Sequence, residues 1–393
     1  MKLSKRLACF SALPFLLSPV IADGPFYGDP PDANHPWGVH DSNRPQPPIV
    51  TPGTFSSQEV PGKPPSDAVV LFDGTEATMK NWVPAGKPKN DKRWSLTNGA
   101  LQCTPGAGDV KSTEEFGDCQ LHIEWTAPTE IKGKSQGRGN SGVFFLGGAI
   151  EVQVLDNYDN PSYPDGMAGS VYGVNPPMAN PLRKPGEWQA YDIIFRRPVY
   201  KDGMEVDPGR VTVLINGVVV QDSTPLEGGG GHRGRSKSKP FPETGPLKLQ
   251  DHGNTTAFRN IWYRPLPPRA VEGGTNGRLT KEAAMAKRQE IAADIRKDAA
   301  TKIGKDQMYR LFESLCYAPH AETLAAATAM SATYVAELKA AGKETLEKRK
   351  GEVMQARQAF NYLVKHEFVP ENFAGKPAVE GIIEAQGWNK KKK

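Results

Sequence analysis

Cysteine is scarce in this sequence, four in 393 residues, which excludes a disulfide-built scaffold. Long apolar runs are missing too. The mean hydropathy is −0.53, which excludes a polytopic membrane protein. Charge of one sign is also lacking. With 49 basic against 44 acidic residues the net charge is +5, mild for the length and without the concentrated basic face that marks nucleic-acid binding. No His-x-x-x-His or Cys-x-x-Cys spacing occurs, so a zinc site has no signature. A divalent cation such as Ca²⁺ stays open, because oxygen ligands leave no sharp spacing. Forty Gly and 35 Pro are more than an all-helical chain carries and point to many turns.

The N-terminus reads as an export signal. Lys2, Lys5 and Arg6 precede an apolar stretch, Leu7 to Leu17, too short to span ~30 Å of hydrocarbon as a helix. Val20-Ile21-Ala22 suits a cut after Ala22, giving a signal over 1–22, a mature protein that leaves the cytoplasm, and no transmembrane segment once the signal is removed. Three cysteines then remain, and the odd number leaves at least one free. Cys103 and Cys119 stand at the ends of two predicted strands, as a disulfide or as two buried thiols; Cys316 sits on a predicted helix.

Three zones follow the signal. Residues 23–66 are Pro-rich with no apolar period and read as an extended segment that links or wraps the next domain, with Trp37 anchoring it on a hydrophobic surface. Residues 67–267 carry about ten short runs of period two, punctuated by Gly, Pro, Asn98-Gly99 and Asn216-Gly217. They predict a mainly β, two-sheet sandwich or jelly roll. The Gly228–Gly231 loop with Arg233 and Lys237 reads as a solvated basic loop or a lid. Residues 280–393 rise in Ala, Glu, Lys and Leu and predict a C-terminal helical unit. Thr280 is its first N-cap, helices run over about 322–340 and 343–366, and Pro377 opens a short last helix that Gly387 ends. The final lysines read as a solubilising tail.

Chemistry concentrates on the β zone. Residues two apart on a strand share a face. Glu151 and Gln153 form such a pair between Val152 and Val154; His122 and Glu124 repeat it against Leu121 and Ile123; Gln250 and His252 repeat it beyond Leu247 and Leu249. A solvated sheet face accounts for any one pair. Three faces of amides, carboxylates and imidazoles together predict a saccharide-sized hollow, since an amide both donates to and accepts from sugar hydroxyls. Asn140-Ser141-Gly142 turns into the Glu151 strand. Arg259 lies amid Phe258 and Ile261 and reads as a structural ion pair or a charge for the groove. Tyr158, Tyr163 and Tyr172 follow the Glu151 strand and suit sugar stacking.

Leu71-Phe72-Asp73-Gly74, Trp82, Asn140-Ser141-Gly142, Glu151-Val152-Gln153-Val154-Leu155-Asp156, Glu187-Trp188-Gln189-Ala190-Tyr191, Asn216-Gly217, Leu249-Gln250-Asp251-His252-Gly253 and Phe258-Arg259-Asn260-Ile261 occur in that order. This ordered set resembles the 3-keto-disaccharide hydrolase domain family over about residues 67–266. That family resembles the concanavalin A-like lectin/glucanase jelly roll. The sequence departs from it at Gln189, where Asn is expected and a groove contact is at stake, and at Cys119, where an aromatic is usual. The resemblance implies a secreted or periplasmic bacterial enzyme that cleaves 3-keto-glycosides or 3-keto-disaccharides by removing the carbon-2 proton, expelling the carbon-1 substituent and adding water. On that reading His252 is the base and Glu151 the general acid, or the roles are exchanged. Asn140, Gln153, Gln250, Glu124, His122, Arg259 and Tyr172 would bind the oligosaccharide or glycoside. An ordinary retaining glycosidase needs two carboxyls ~5–5.5 Å apart, and Glu151 has Gln153 beside it, with Glu124 the remaining candidate. A non-catalytic carbohydrate-binding module is the alternative.

Overall fold

The computed structural model describes residues 25–235, 237–267 and 279–389; the expected signal over 1–22, with Cys9, and the final lysines Lys390–Lys393 lie outside the described residues. Two compact units make up the chain, Pro47–Arg278 and Met1–Gln46 with Leu279–Lys393. The Pro-rich stretch is therefore divided at position 46/47 between them.

The first unit is a sandwich of two antiparallel sheets. The larger sheet runs, edge to edge, Val218–Pro225, Arg210–Ile215, Gln189–Arg196, Cys119–Thr126, Ala257–Pro265, Ala100–Gln102 and Ser95–Thr97, with Val69–Phe72 also on Ala257–Pro265. The smaller runs Trp82–Pro84, Val110–Phe116, Gly245–Leu249, Ser141–Phe145 and Ile150–Val154. Period two explains the layers. Leu121, Ile123, Tyr191, Ile193, Phe195, Val143, Phe145, Val152, Val154, Leu247 and Leu249 are all buried in one core. Phe145 and Phe195 stack across the core at 4.4 Å. Asn98 and Gly99 (φ 51° and 74°) and Asn216 and Gly217 (φ 52° and 82°) close two hairpins in the paired left-handed geometry that Asn-Gly supplies at least cost.

One irregularity has consequences. Arg259 pairs with Glu124 and Trp262 with His122, so three steps on one strand oppose two on the other. Asn260 takes φ 49° there. This β-bulge lets Arg259 and its neighbour Asn260 both reach Glu124.

The second unit has its own core. Thr280 caps Lys281–Ala299 by accepting from Ala283 N–H. Gly304–Leu315, Ala321–Ala340, Lys343–Lys348, Lys350–Lys365 and Gly375–Ala385 follow. The helix expected over 343–366 is two, interrupted at Arg349. The last begins at Gly375, placing Pro377 within its first turn rather than first. Trp37 packs on this helical core and lies edge-on to Tyr317 at 6.4 Å, so its surface belongs to the helices and not to the β-sandwich. Asp41 accepts from Tyr317 Oη at 2.5 Å, and Asn43 donates to Glu313 at 2.5 Å.

Candidate active site

The smaller sheet carries the polar constellation on its outer face. Lys248 lies opposite Phe144, and Phe144 opposite Glu151; two residues along, on the same face, Gly142 lies opposite Gln153. Gln250 continues the Lys248 face, its N–H donating to Gly142 O and its own carbonyl accepting from Ser141 Oγ. Gly142 has no side chain where one would collide with the site. A Cβ there would stand 2.4 Å from Glu151 Oε1 and 2.7 Å from the Phe144 ring.

Glu151 is the most perturbed carboxyl of this face. Burial pushes it up, nearby Lys248 pulls it down, Asp109 pushes it up again, and it rests at about 7. A carboxyl so placed is poised between base and acid at neutral pH. Lys248 Nζ sits 3.0 Å from Asp109 and 3.9 Å from the centre of the Phe144 ring. On the other side Tyr163 and Tyr172 share a hydrogen bond of 2.9 Å, and Tyr172 Oη lies 3.4 Å from His232 Nδ1. Burial first, then Tyr172, raises the Tyr163 phenol, and Glu151 is among the charges acting on it.

Two hollows are lined by the groups that interact with Glu151, although Glu151 itself lines neither. One, of about 610 Å³, is lined by Lys248, Asp109 and the 84–89 loop. The other, of about 530 Å³, is lined by Tyr163, Asp165, Tyr172 and the Gly231–Gly234 turn with His232 and Arg233. The loop read as solvated or a lid thus forms a wall of this second hollow through a short hairpin, Gly230–Gly231 with Gly234–Arg235. Gln153 and Asn140 are buried. Asn140 Nδ2 donates to Gln136 O at 2.7 Å, and Asn140 Oδ1 is buried with no partner among the described residues. No group of three His, Cys, Asp or Glu among the described residues could hold a metal ion.

Glu151, Gln153, Asn140, Gln250 and Tyr172 are therefore brought to one region. The other predicted residues are not. His122, Glu124 and Arg259 lie on the outer face of the larger sheet, a different side of the sandwich. There Arg259 Nε donates to Glu124 at 2.8 Å, Asn260 and Ser56 reach the same carboxylate at 2.8 and 2.5 Å, and His122 bridges Glu124 and Asp192 at 3.3 and 2.7 Å. The Arg259 guanidinium also donates to the carbonyls of Ser57 and Gln58 and covers the Trp188 ring at 4.3 Å. Of the two expectations for Arg259, the structure has the ion pair. Three strands do not converge on one hollow: period two tells which residues share a face, not which sheet a strand joins. His252 is exposed on the turn beyond Leu249. Its strand ends at Leu249, so alternation no longer assigns it to the Glu151 face.

Gln189 is buried at the start of its strand and bonds Arg183 and Asn216, so that departure ties a strand end to two neighbouring loops and does not line a groove. Cys103, Cys119 and Cys316 are buried and unpaired. Lys248, Asp109, Gln136 and His232 went unread in the sequence. Lys248 carried a signal, standing two before Gln250 on the same face; the others come from loops, which have no period.

Among solved structures, a candidate glycosyl hydrolase from Parabacteroides distasonis is 43% identical, with 57% of this chain and 93% of that one covered and a TM-score of 0.52. Two further candidate glycosyl hydrolases from that organism are 19% and 20% identical; each covers 51% of this chain, with 99% and 94% of theirs and TM-scores of 0.37 and 0.36. No curated protein matches. The family model described as the 3-keto-alpha-glucoside-1,2-lyase-like domain matches residues 67–264, half of the chain, and the chain belongs to that family.

Proposed function

We propose that this protein is an exported carbohydrate-cleaving enzyme acting on 3-keto-glycosides, with Glu151 as the base for the proton on carbon 2. One observation carries the reading: a carboxyl, brought near neutral chiefly by burial, lies close to a lysine, and the groups that interact with it line two hollows. The ketone at carbon 3 acidifies the carbon-2 proton. Glu151 takes it, and Lys248 offers its positive charge to the oxygen of the resulting enolate. The enolate then expels the oxygen at carbon 1, which takes a proton from the Tyr163–Tyr172–His232 chain. Water adding at carbon 1, with a proton returned to carbon 2, makes the net change a hydrolysis; release before that step makes it a lyase reaction. A retaining glycosidase is less well supported. Glu124 is on the other sheet, and Asp109 is held by Lys248.

The test compares a 3-keto-glucoside with its unoxidised parent. Wild-type protein should cleave only the oxidised sugar and exchange its carbon-2 proton with solvent deuterium. Glu151→Gln should lose roughly 10²–10⁴ in turnover, the range of a general base, and Lys248→Met roughly 10²–10³, that of an oxyanion partner. Wild-type turnover in Glu151→Gln overturns the assignment. Cleavage of neither sugar, with binding of either, favours the carbohydrate-binding alternative. Export rests on the leader to Ala22, and N-terminal sequencing of protein recovered outside the cytoplasm should begin at Asp23.

A further inference from the structure

The buried amide behind Glu151 presents an accounting problem. Gln153 is 2% exposed, and both ends of its amide face acceptors. One end lies 3.0 Å from Ser141 O and 3.1 Å from Glu151 Oε1. The other lies 3.0 Å from Gln136 Oε1. Gln136 cannot turn to help. Its Nε2 donates to Gly166 O at 2.9 Å and Ser162 Oγ at 2.7 Å, and a backbone carbonyl only accepts. Its Oε1 therefore stays toward Gln153 and also faces Asn140 Nδ2 at 3.3 Å.

An amide has a single donor end, so neither orientation satisfies every neighbour at once. With Nε2 toward Gln136, the Gln153 oxygen faces Glu151, and the contact is favourable when Glu151 carries a proton on Oε1. With Nε2 toward Ser141 and Glu151, its two hydrogens serve the carbonyl and the carboxylate, and its oxygen is left against Gln136 Oε1. The first arrangement fits the acid, the second the carboxylate. We propose that Gln153 is a positioning residue whose side-chain amide turns with the protonation of Glu151, donating to the carboxylate and accepting from the acid. This rests on the reading of Glu151 as the base. It gives the proton taken from carbon 2 a matched environment without a second titratable group.

The other groups facing Glu151 are Lys248 from the neighbouring Gly245–Leu249 strand, Asp109 before the Val110–Phe116 strand, and Tyr163 from the loop after its own strand. None of them touches the Gln153 amide, so replacing Gln153 isolates its share. A charge-assisted bond is the stronger of the two, so losing both should favour the acid.

The experiment follows the Glu151 carboxyl carbon by NMR in full-length protein labelled at glutamate, the resonance being the one absent from Glu151→Gln. In Gln153→Met its titration midpoint should rise by about one pH unit, the scale of one hydrogen bond to a charged group, and the acid limb of kcat/KM should move with it. Gln153→Asn, which keeps an amide on a shorter arm, should move it less. Equal midpoints in wild type and Gln153→Met, with the fold intact by circular dichroism, overturn the proposal. Because the titration needs no turnover, that result is separate from failure of Glu151 as base, which would appear as activity in Glu151→Gln. If Gln153→Met does not fold, Gln153→Leu, which also lacks the amide, carries the test, and a midpoint equal to wild type overturns the proposal.

Discussion

Glu151 shows how a desolvated carboxyl opposes stability. Its folded value of about 7 lies above the ordinary 4.5. The folded state therefore holds the proton more tightly than the unfolded state does. Stability from this group is complete below pH 4.5 and is lost as pH rises through about 7. Glutamine has nothing to ionise. Glu151→Gln should therefore match wild type in thermal unfolding near pH 4 and exceed it at pH 8, while losing turnover. A variant equal to or weaker than wild type at pH 8 would mean that Glu151 is not desolvated. At this scale much of the candidate site's clustering was legible: Glu151, Gln153 and Gln250 announce themselves by alternation with apolar residues, and Asn140 by its turn. Lys111 and Lys248 also alternate and pair across neighbouring strands, yet it is Lys248 whose charge pulls Glu151 down, and no spacing separates the two. His252 shows the limit. Alternation beyond Leu249 stops meaning anything where the strand ends.

At the scale of elements, the larger sheet is held by a segment that has no secondary structure. Residues 51–66 cross its outer face, and the His122–Glu124–Arg259 cluster fastens them: Ser56 to Glu124, the carbonyls of Ser57 and Gln58 to Arg259, and Gln58 to the backbone of Trp188. Burial opposes ionisation of both Glu124 and His122. Their partners outweigh it, taking Glu124 to about 2 and His122 to about 9. The signs are opposite and the windows overlap. The Glu124 contribution is present above pH 4.5 and lost as pH falls toward 2; the His122 contribution is present below 6.5 and lost as pH rises through 9. Both are complete between pH 4.5 and 6.5. Glu124→Ala should cost about 3–5 kcal/mol there, the penalty for stranding a buried partner such as Arg259, and the gap should narrow at either pH extreme. Turnover of the folded variant should be unchanged. Denaturant titrations across pH check the first claim, and a lowered kcat at full folding would return Glu124 to the site. These residues were legible as a polar face and illegible as a clamp, because pairing of Cys119–Thr126 with Ala257–Pro265 joins positions more than 130 apart.

At the scale of the whole molecule, everything assigned to chemistry falls within one of the two units. Glu151, Lys248, Gln153, Tyr163, Tyr172 and His232 all belong to Pro47–Arg278, and that unit has a closed core of its own. The helical unit is different in kind. It is built from two stretches far apart in sequence, and its buried Glu313 depends on both, being bonded to Asn43 from one and Arg310 from the other. A segment of period-free, Pro-rich chain gave no sign of this, since what fixes it is Trp37 and Asp41 meeting Tyr317, contacts with no local pattern. The arrangement makes an asymmetric prediction. Residues 47–267 produced alone should unfold in a single transition and keep the kcat/KM of the full chain, because neither core nor site loses a side chain. Residues 279–393 alone should fail to reach a cooperative fold, with Phe26 and Trp37 missing from their core and Glu313 buried without Asn43. Adding a peptide of residues 25–46 should restore helix content and a sharp melt, read by circular dichroism. Cooperative folding of 279–393 without the peptide would show that the N-terminal stretch is a passenger on the helices, not a part of them.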